Sequence, residues 1–282
     1  MSRTRSARSS VAALALLASL AAACAAPASA PGTPERSSAV VTPAAANRVA
    51  APQAGAGSRQ SLATPLRGIV VGIDPGHNGR NYTDPAYLNH QIWNGRAYED
   101  CDTTGTETNG GYTEPRFNWR VAVDLRRDLE AMGATVVMTR PNNHGKGPCV
   151  DKRAKILNRA HSKIAIDIHG DGGPSSGRGF AILEPVRDRQ NRHVIRSSER
   201  FGRYLRKAML DGTSMPISTY DGQNGVAHRS DLAGLNLATE PKVLIECGNM
   251  RNSTDARLLT STHFQHRLAR AMAHAIKRFL LT

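Results

Sequence analysis

Three short apolar runs in this chain stop in the same way, each at a residue able to bind a metal or move a proton. Residues 68–79 read GIVVGIDPGHNG, in which Ile69, Val70, Val71 and Ile73 lead to an aspartate, a Pro-Gly turn and His77. Residues 163–173 read KIAIDIHGDGG and break at His169 and then at glycines. Residues 242–249 read KVLIECGN and stop at Glu246. Short Val/Ile-rich runs bounded by Gly, Pro, Asn or Asp are strand-like. Helical patterns alternate with them. One begins near Pro115, a favoured first-turn residue. Its Val121, Leu125, Leu129 and Met132 fall on a single stripe, and Gly133 closes it. A strand over 135–140, a helix over 150–162, a strand over 179–185, and helices over 198–210 and 262–281 complete the pattern. This order predicts a single α/β domain with a mainly parallel twisted sheet of about six strands and helices on both faces. In open sheets of this kind, ligands bind outside the carboxyl ends of the strands. The three run ends therefore predict one shared site at which His77, His169 and Glu246 converge.

The folded domain is expected over residues 65–282. Ahead of it, MSRTRSARSS carries three arginines and no acid, VAALALLASLAAA is a short apolar core, and CAAPASA supplies small residues. Residues 1–30 thus have the layout of a secretory signal peptide rather than a membrane span. Export to the periplasm or cell wall is expected, with no stable membrane insertion after cleavage. Cys24 follows three alanines and is the alternative, a lipid attachment point, although the usual leucine three residues earlier is missing. Residues 31–64 are rich in Ala, Pro, Ser and Gly without apolar periodicity. Such a stretch cannot bury enough surface to offset its ordering entropy and reads as a disordered linker.

The formal net charge is +14. Nucleic acid is one partner for a basic chain, but the export signal and the scatter of the basic residues argue against it. An anionic envelope polymer fits better; mere solubility of a basic chain is the plain alternative. Cys101 and Cys149 lie in Gly/Asn/Asp-rich loop sequence, and an oxidising compartment favours pairing them. Cys247 follows Glu246 in a core strand and reads as a small buried thiol.

Two histidines at strand ends are not yet a metal site. A catalytic zinc takes three protein ligands, and two histidines with one glutamate are a common set. Glu114 is the best third ligand. It lies at a helix N-terminus on the same sheet edge, where the helix dipole favours a carboxylate. Glu99, Asp100 and Asp102 are alternatives. Asp74 either orients a ligand histidine or starts the turn after the first strand. GPSSG (173–177) satisfies G-x-S-x-G but precedes a strand, so it lacks the context of a serine nucleophile. H-E-x-x-H does not occur in the sequence. The polar region 80–112, with Tyr87, Trp93 and Tyr98, is a flap, an inhibitory element or a passive loop held by Cys101. His228 lies in a second loop that could line a groove.

In the order IDPGHNG, TEPRFNWRVAVDLRRDLEAMGATVVMTR, DKRAKILNRAHSKIAIDIHGD, GRGFAILEP and KVLIECGNMRN, residues 67–280 resemble the zinc-dependent N-acetylmuramoyl-L-alanine amidases of the amidase-3 type. The resemblance implies one zinc ion held by His77, Glu114 and His169, with Glu246 as the catalytic carboxylate. It implies peptidoglycan or muropeptide fragments as substrate, cut between the lactyl group and L-alanine. A monomer is expected. Two places depart from the family pattern. Asp167 and Asp171 flank His169 where Ser and Asn are usual, and CGNMRN follows Glu246 in place of an apolar segment. All four chemical residues are present, which argues against a silent wall-binding protein that kept only the fold.

Overall fold

A computed structural model describes residues 64–282. The expected signal peptide, the linker up to residue 63 and Cys24 lie outside the described residues. In chain order the elements are β1 (Val70–Pro75), α1 (Pro85–Leu88), β2 (Gln91–Trp93), β3 (Tyr98–Asp100), α2 (Glu114–Ala131), β4 (Thr135–Met138) and α3 (Val150–Arg159). They continue with β5 (Ile164–Asp171), β6 (Ala181–Pro185), α4 (Ile195–Gly212), β7 (Val226–Arg229), α5 (Ala233–Asn236), β8 (Lys242–Asn249), α6 (Ser253–Leu259) and α7 (Thr262–Leu281).

Six strands form one sheet in the order β4-β1-β5-β8-β6-β7. The first four run parallel, β6 is antiparallel to β8, and β7 is parallel to β6. The strand period of two divides each strand between two different environments. Ile73, Ile164, Ile166, Ile168, Val243 and Ile245 face one way and join Phe117, Val121, Leu125 and Leu129 of α2 and the apolar sides of α4 and α7 in the main core. Asp74, Asp167, His169, Lys242 and Glu246 occupy the alternate positions. That second face is covered by α3, whose Leu157 packs on Gly72, and by α5.

Helix α2 forms where its stripe predicted. Thr113 enters in extended conformation, Pro115 occupies the first turn, and Gly133, at φ +91°, leaves in the left-handed region that favours glycine. Three features were not expected from the sequence. The β2–β3 hairpin interrupts the region read as polar loop, β7 forms the exposed edge of the sheet, and α6 follows β8. Cys101 and Cys149 are bridged, and Cys247 is a buried free thiol, both as expected. Among the described residues no helix is long and apolar enough to cross a membrane.

Candidate metal centre

Strand β1 ends at Pro75, and His77 follows with φ +56°, outside the range most side chains adopt. That backbone is held from below. Arg153 donates to the carbonyls of Pro75 and His77 at 2.8 and 2.7 Å, and Arg140 donates to Pro75 O at 2.9 Å. Gly76 is required between them, because a Cβ there would fall 2.1 Å from the His169 ring. His169 comes from β5 in register with Glu246 of β8. Glu114 opens α2. The two imidazoles meet edge to face with centroids 4.9 Å apart.

The carboxylate of Glu114 lies between the rings. Its Oε2 is 3.2 Å from His77 Nε2 and its Oε1 is 2.8 Å from His169 Nδ1. Backbone N–H of Thr106, at 2.9 Å, and Asn118 Nδ2, at 3.2 Å, donate to the same carboxylate. One ligand atom from each of His77, Glu114 and His169 lies within 4.8 Å of the others. The far nitrogen of each ring faces a second carboxylate, His77 Nδ1 to Asp102 Oδ1 at 3.1 Å and His169 Nε2 to Asp167 Oδ1 at 3.2 Å. Metal-binding histidines are commonly held by such outer carboxylates, which fix the tautomer and raise ring basicity. The donor set and its outer partners therefore fit a zinc-type ion. The second His/Cys group, His90 with Cys101 and Cys149, does not, since its sulfurs are spent in the disulfide.

Burial opposes the charged form of His77, but Glu114 and Asp102 outweigh it and push the ring up to about 9. His169 is raised well above the usual range against the same burial, chiefly by Asp167. Burial works against the ionised form of Glu114 as well, yet the two rings hold it well below the carboxylate range. Three groups that pair so readily with opposite charge make a set that a cation could occupy in place of protons. Glu246 behaves differently. Burial, with Glu114 and Asp171 adding to it, pushes its carboxyl up to about 8 against the pull of His169. Its Oε2 is buried without a hydrogen-bond partner.

Asp102, an alternative ligand from the sequence, lies behind His77 instead, held by Asn78 Nδ2 at 3.0 Å and by its neighbour's N–H. Glu99 and Asp100 do not join the donor cluster; they line a cavity of about 280 Å³ that reaches His77 and His169. Asp74 neither touches a ligand histidine nor starts the turn. It accepts from Lys242 Nζ (2.8 Å), Arg153 Nη1 (2.9 Å) and Thr139 Oγ1 (2.6 Å), and so orients His77 through Arg153. His228 stands exposed on β7, level with Glu184, away from that cavity. Tyr220 carried no sequence signal. Its ring lies against Gly173 and Gly177, where a Cβ would come within 2.3 and 2.5 Å, and its phenol is turned toward Asp171 beside Glu246.

Known proteins share this sequence and fold. An N-acetylmuramoyl-L-alanine amidase of Mycobacterium tuberculosis is 40% identical over 226 residues, 78% of this chain and 90% of that protein. The crystal structure of the N-acetylmuramyl-L-alanine amidase of Mycobacterium smegmatis matches with a TM-score of 0.72 at 38% identity, covering 76% of this chain and 98% of the other. The apo form of the Mycobacterium abscessus enzyme matches with a TM-score of 0.70 at 38% identity, covering 76% and 100%. The Amidase_3 family model, described as N-acetylmuramoyl-L-alanine amidase, spans residues 71–278, and this chain belongs to that family of enzymes.

Proposed function

We propose that this enzyme is exported and hydrolyses the amide between the lactyl group of N-acetylmuramic acid and the L-alanine of the peptidoglycan stem peptide. One zinc ion would be held by His77, Glu114 and His169. Bound there, it would supply a Lewis acid for the carbonyl and lower the pKa of water to about 7. The chain's own part falls to Glu246. Its carboxylate takes a proton from the attacking water, the water oxygen bonds the carbonyl carbon, and the C–N bond breaks as Glu246 returns the proton to the alanine nitrogen. Asp102 and Asp167 keep the two imidazoles in place throughout. A monomer acting in wall remodelling, daughter-cell separation or fragment recycling fits this chemistry and the N-terminal export pattern.

The observation that carries the reading is the placement of a partnerless Glu246 beside a His/Glu/His donor set. The test incubates the chain with muramyl dipeptide and with polymeric wall, with and without chelator, and weighs the products by mass spectrometry. Release of L-alanine-ended peptide that needs both the metal and Glu246 is the expected result. A folded, metal-loaded protein that cuts neither substrate would replace the reading with a wall-binding one.

A further inference from the structure

The β2–β3 hairpin has two unlike faces. Ile92 and Glu99 point inward, and Ile92 packs on the Cys101–Cys149 bridge, Ala233, Tyr87 and Val150 in a small separate core. The tip is fixed by Asn94, which accepts from the N–H groups of Arg96 and Ala97 at 2.9 Å and donates to Glu99 at 2.7 Å. Arg96 ties the tip to the carbonyl of Arg187 at 2.6 Å. This is a seated, cross-linked element, unlike a lid that must move. Its outer face nevertheless leaves two aromatic rings in water. Trp93 is 51% exposed and Tyr98 71% exposed, paired across the strands with ring centroids 5.3 Å apart. Two residues along on the same face, Gln91 is hydrogen-bonded to Asp100.

Large rings held rigidly in solvent are a poor choice for stability and a good one for binding, since little side-chain freedom is lost on contact. An indole beside planar polar groups matches a pyranose, which offers an apolar C–H face ringed by hydroxyl and amide groups. The face also borders a cavity that reaches both histidines of the site. Asp100 belongs to it and lines the cavity that reaches His77 and His169. On the other side Trp93 borders a groove carrying Arg189 and Arg192, cations that suit the lactyl carboxylates of a strand already stripped of peptide.

The geometry points to the outer face of this hairpin, Trp93 and Tyr98 with Gln91 and Asp100, as a binding platform for the glycan strand of peptidoglycan, beyond the sugar whose side chain is cut. The choice of ligand rests on the amidase reading; the surface itself does not. The platform would let the catalytic domain itself hold polymeric wall.

The full chain would be compared with Trp93→Ala and Trp93→Ala/Tyr98→Ala, all exposed changes, with thermal unfolding as the check on folding. Two ligands serve: peptide-free strands of alternating N-acetylglucosamine and N-acetylmuramic acid for binding, and polymeric wall against muramyl dipeptide for kinetics. Loss of the two rings is expected to weaken strand binding and raise KM on wall about tenfold, as for truncated aromatic anchors, while KM on muramyl dipeptide moves less than twofold. Strand binding should shift the tryptophan emission of wild type and of Trp119→Phe, but not of Trp93→Phe. Unchanged strand binding and unchanged KM on wall in the double variant would overturn the platform. The two readings fail separately. Wild type that binds strands through Trp93 but cuts nothing would sink the amidase proposal alone, and one that cuts wall yet ignores strands would sink the platform alone.

Discussion

Asp74 and Glu246 are carboxylates on the same face of one sheet, near the ends of strands separated only by β5. Asp74 has a donor on every side, Lys242, Arg153 and Thr139. Burial alone would raise its pKa, but Lys242 and then Arg153 hold it well below the carboxylate range. Glu246 has a buried oxygen with no donor, and its carboxyl is pushed up to about 8. The first arrangement secures the floor beneath His77. The second leaves a proton-moving group in readiness at a cost in stability. Electrostatic pairing thus separates the acid that builds the site from the acid proposed to work in it.

The comparison can be broken most forcefully at Glu246. Glu246→Gln is expected to lower kcat by about 10²–10⁴-fold while leaving the unfolding midpoint unchanged or higher, as measured by product release and thermal denaturation. Lys242→Met should do the reverse. It strands Asp74 and Asp167 without their shared cation, and unpairing one member of a buried ion pair costs about 3–5 kcal/mol, read by urea unfolding. Adding Asp74→Asn to that variant should recover part of the loss, because the uncompensated charge is gone. A smaller effect is expected at Asp102→Asn, which removes the carboxylate behind His77 and should weaken zinc affinity about 10–100-fold by competition with a chelating dye. The mildest probe is acid. A depressed folded pKa at Asp74 contributes stability above its unfolded value of about 3.9, and that contribution is lost as pH falls further toward the folded value. Unfolding midpoints should therefore drop below roughly pH 4 in wild type and less steeply in Asp74→Asn.

The residues that ended apolar runs were legible in the sequence because the strand period and the Gly/Pro stops coincide at them. His77, His169 and Glu246 all stand where those stops predicted a shared edge, and Glu114 stands at the helix start that its dipole favours. The floor was not legible. Lys242 opens a strand, and Arg153 lies in VDKRAKILNR, where charged residues read as solvated surface; only the packed sheet shows both of them buried. Strands of three and four residues with exposed faces, β2, β3 and β7, give too few alternations to register. For the hairpin, the Asn94-Gly95 pair was the available turn signal.

The four candidate residues come from the turn after β1, the start of α2, β5 and β8, and no two are neighbours in sequence. Glu246 arrives on a strand that must insert between β5 and β6 long after His77 has been made. Contacts so distant along the chain are slow to form. His77, Glu114 and His169 all precede β8 in the chain, so Glu246 joins them only when that last strand is in place. The proposed site is thus completed by the last strand of the sheet to be made.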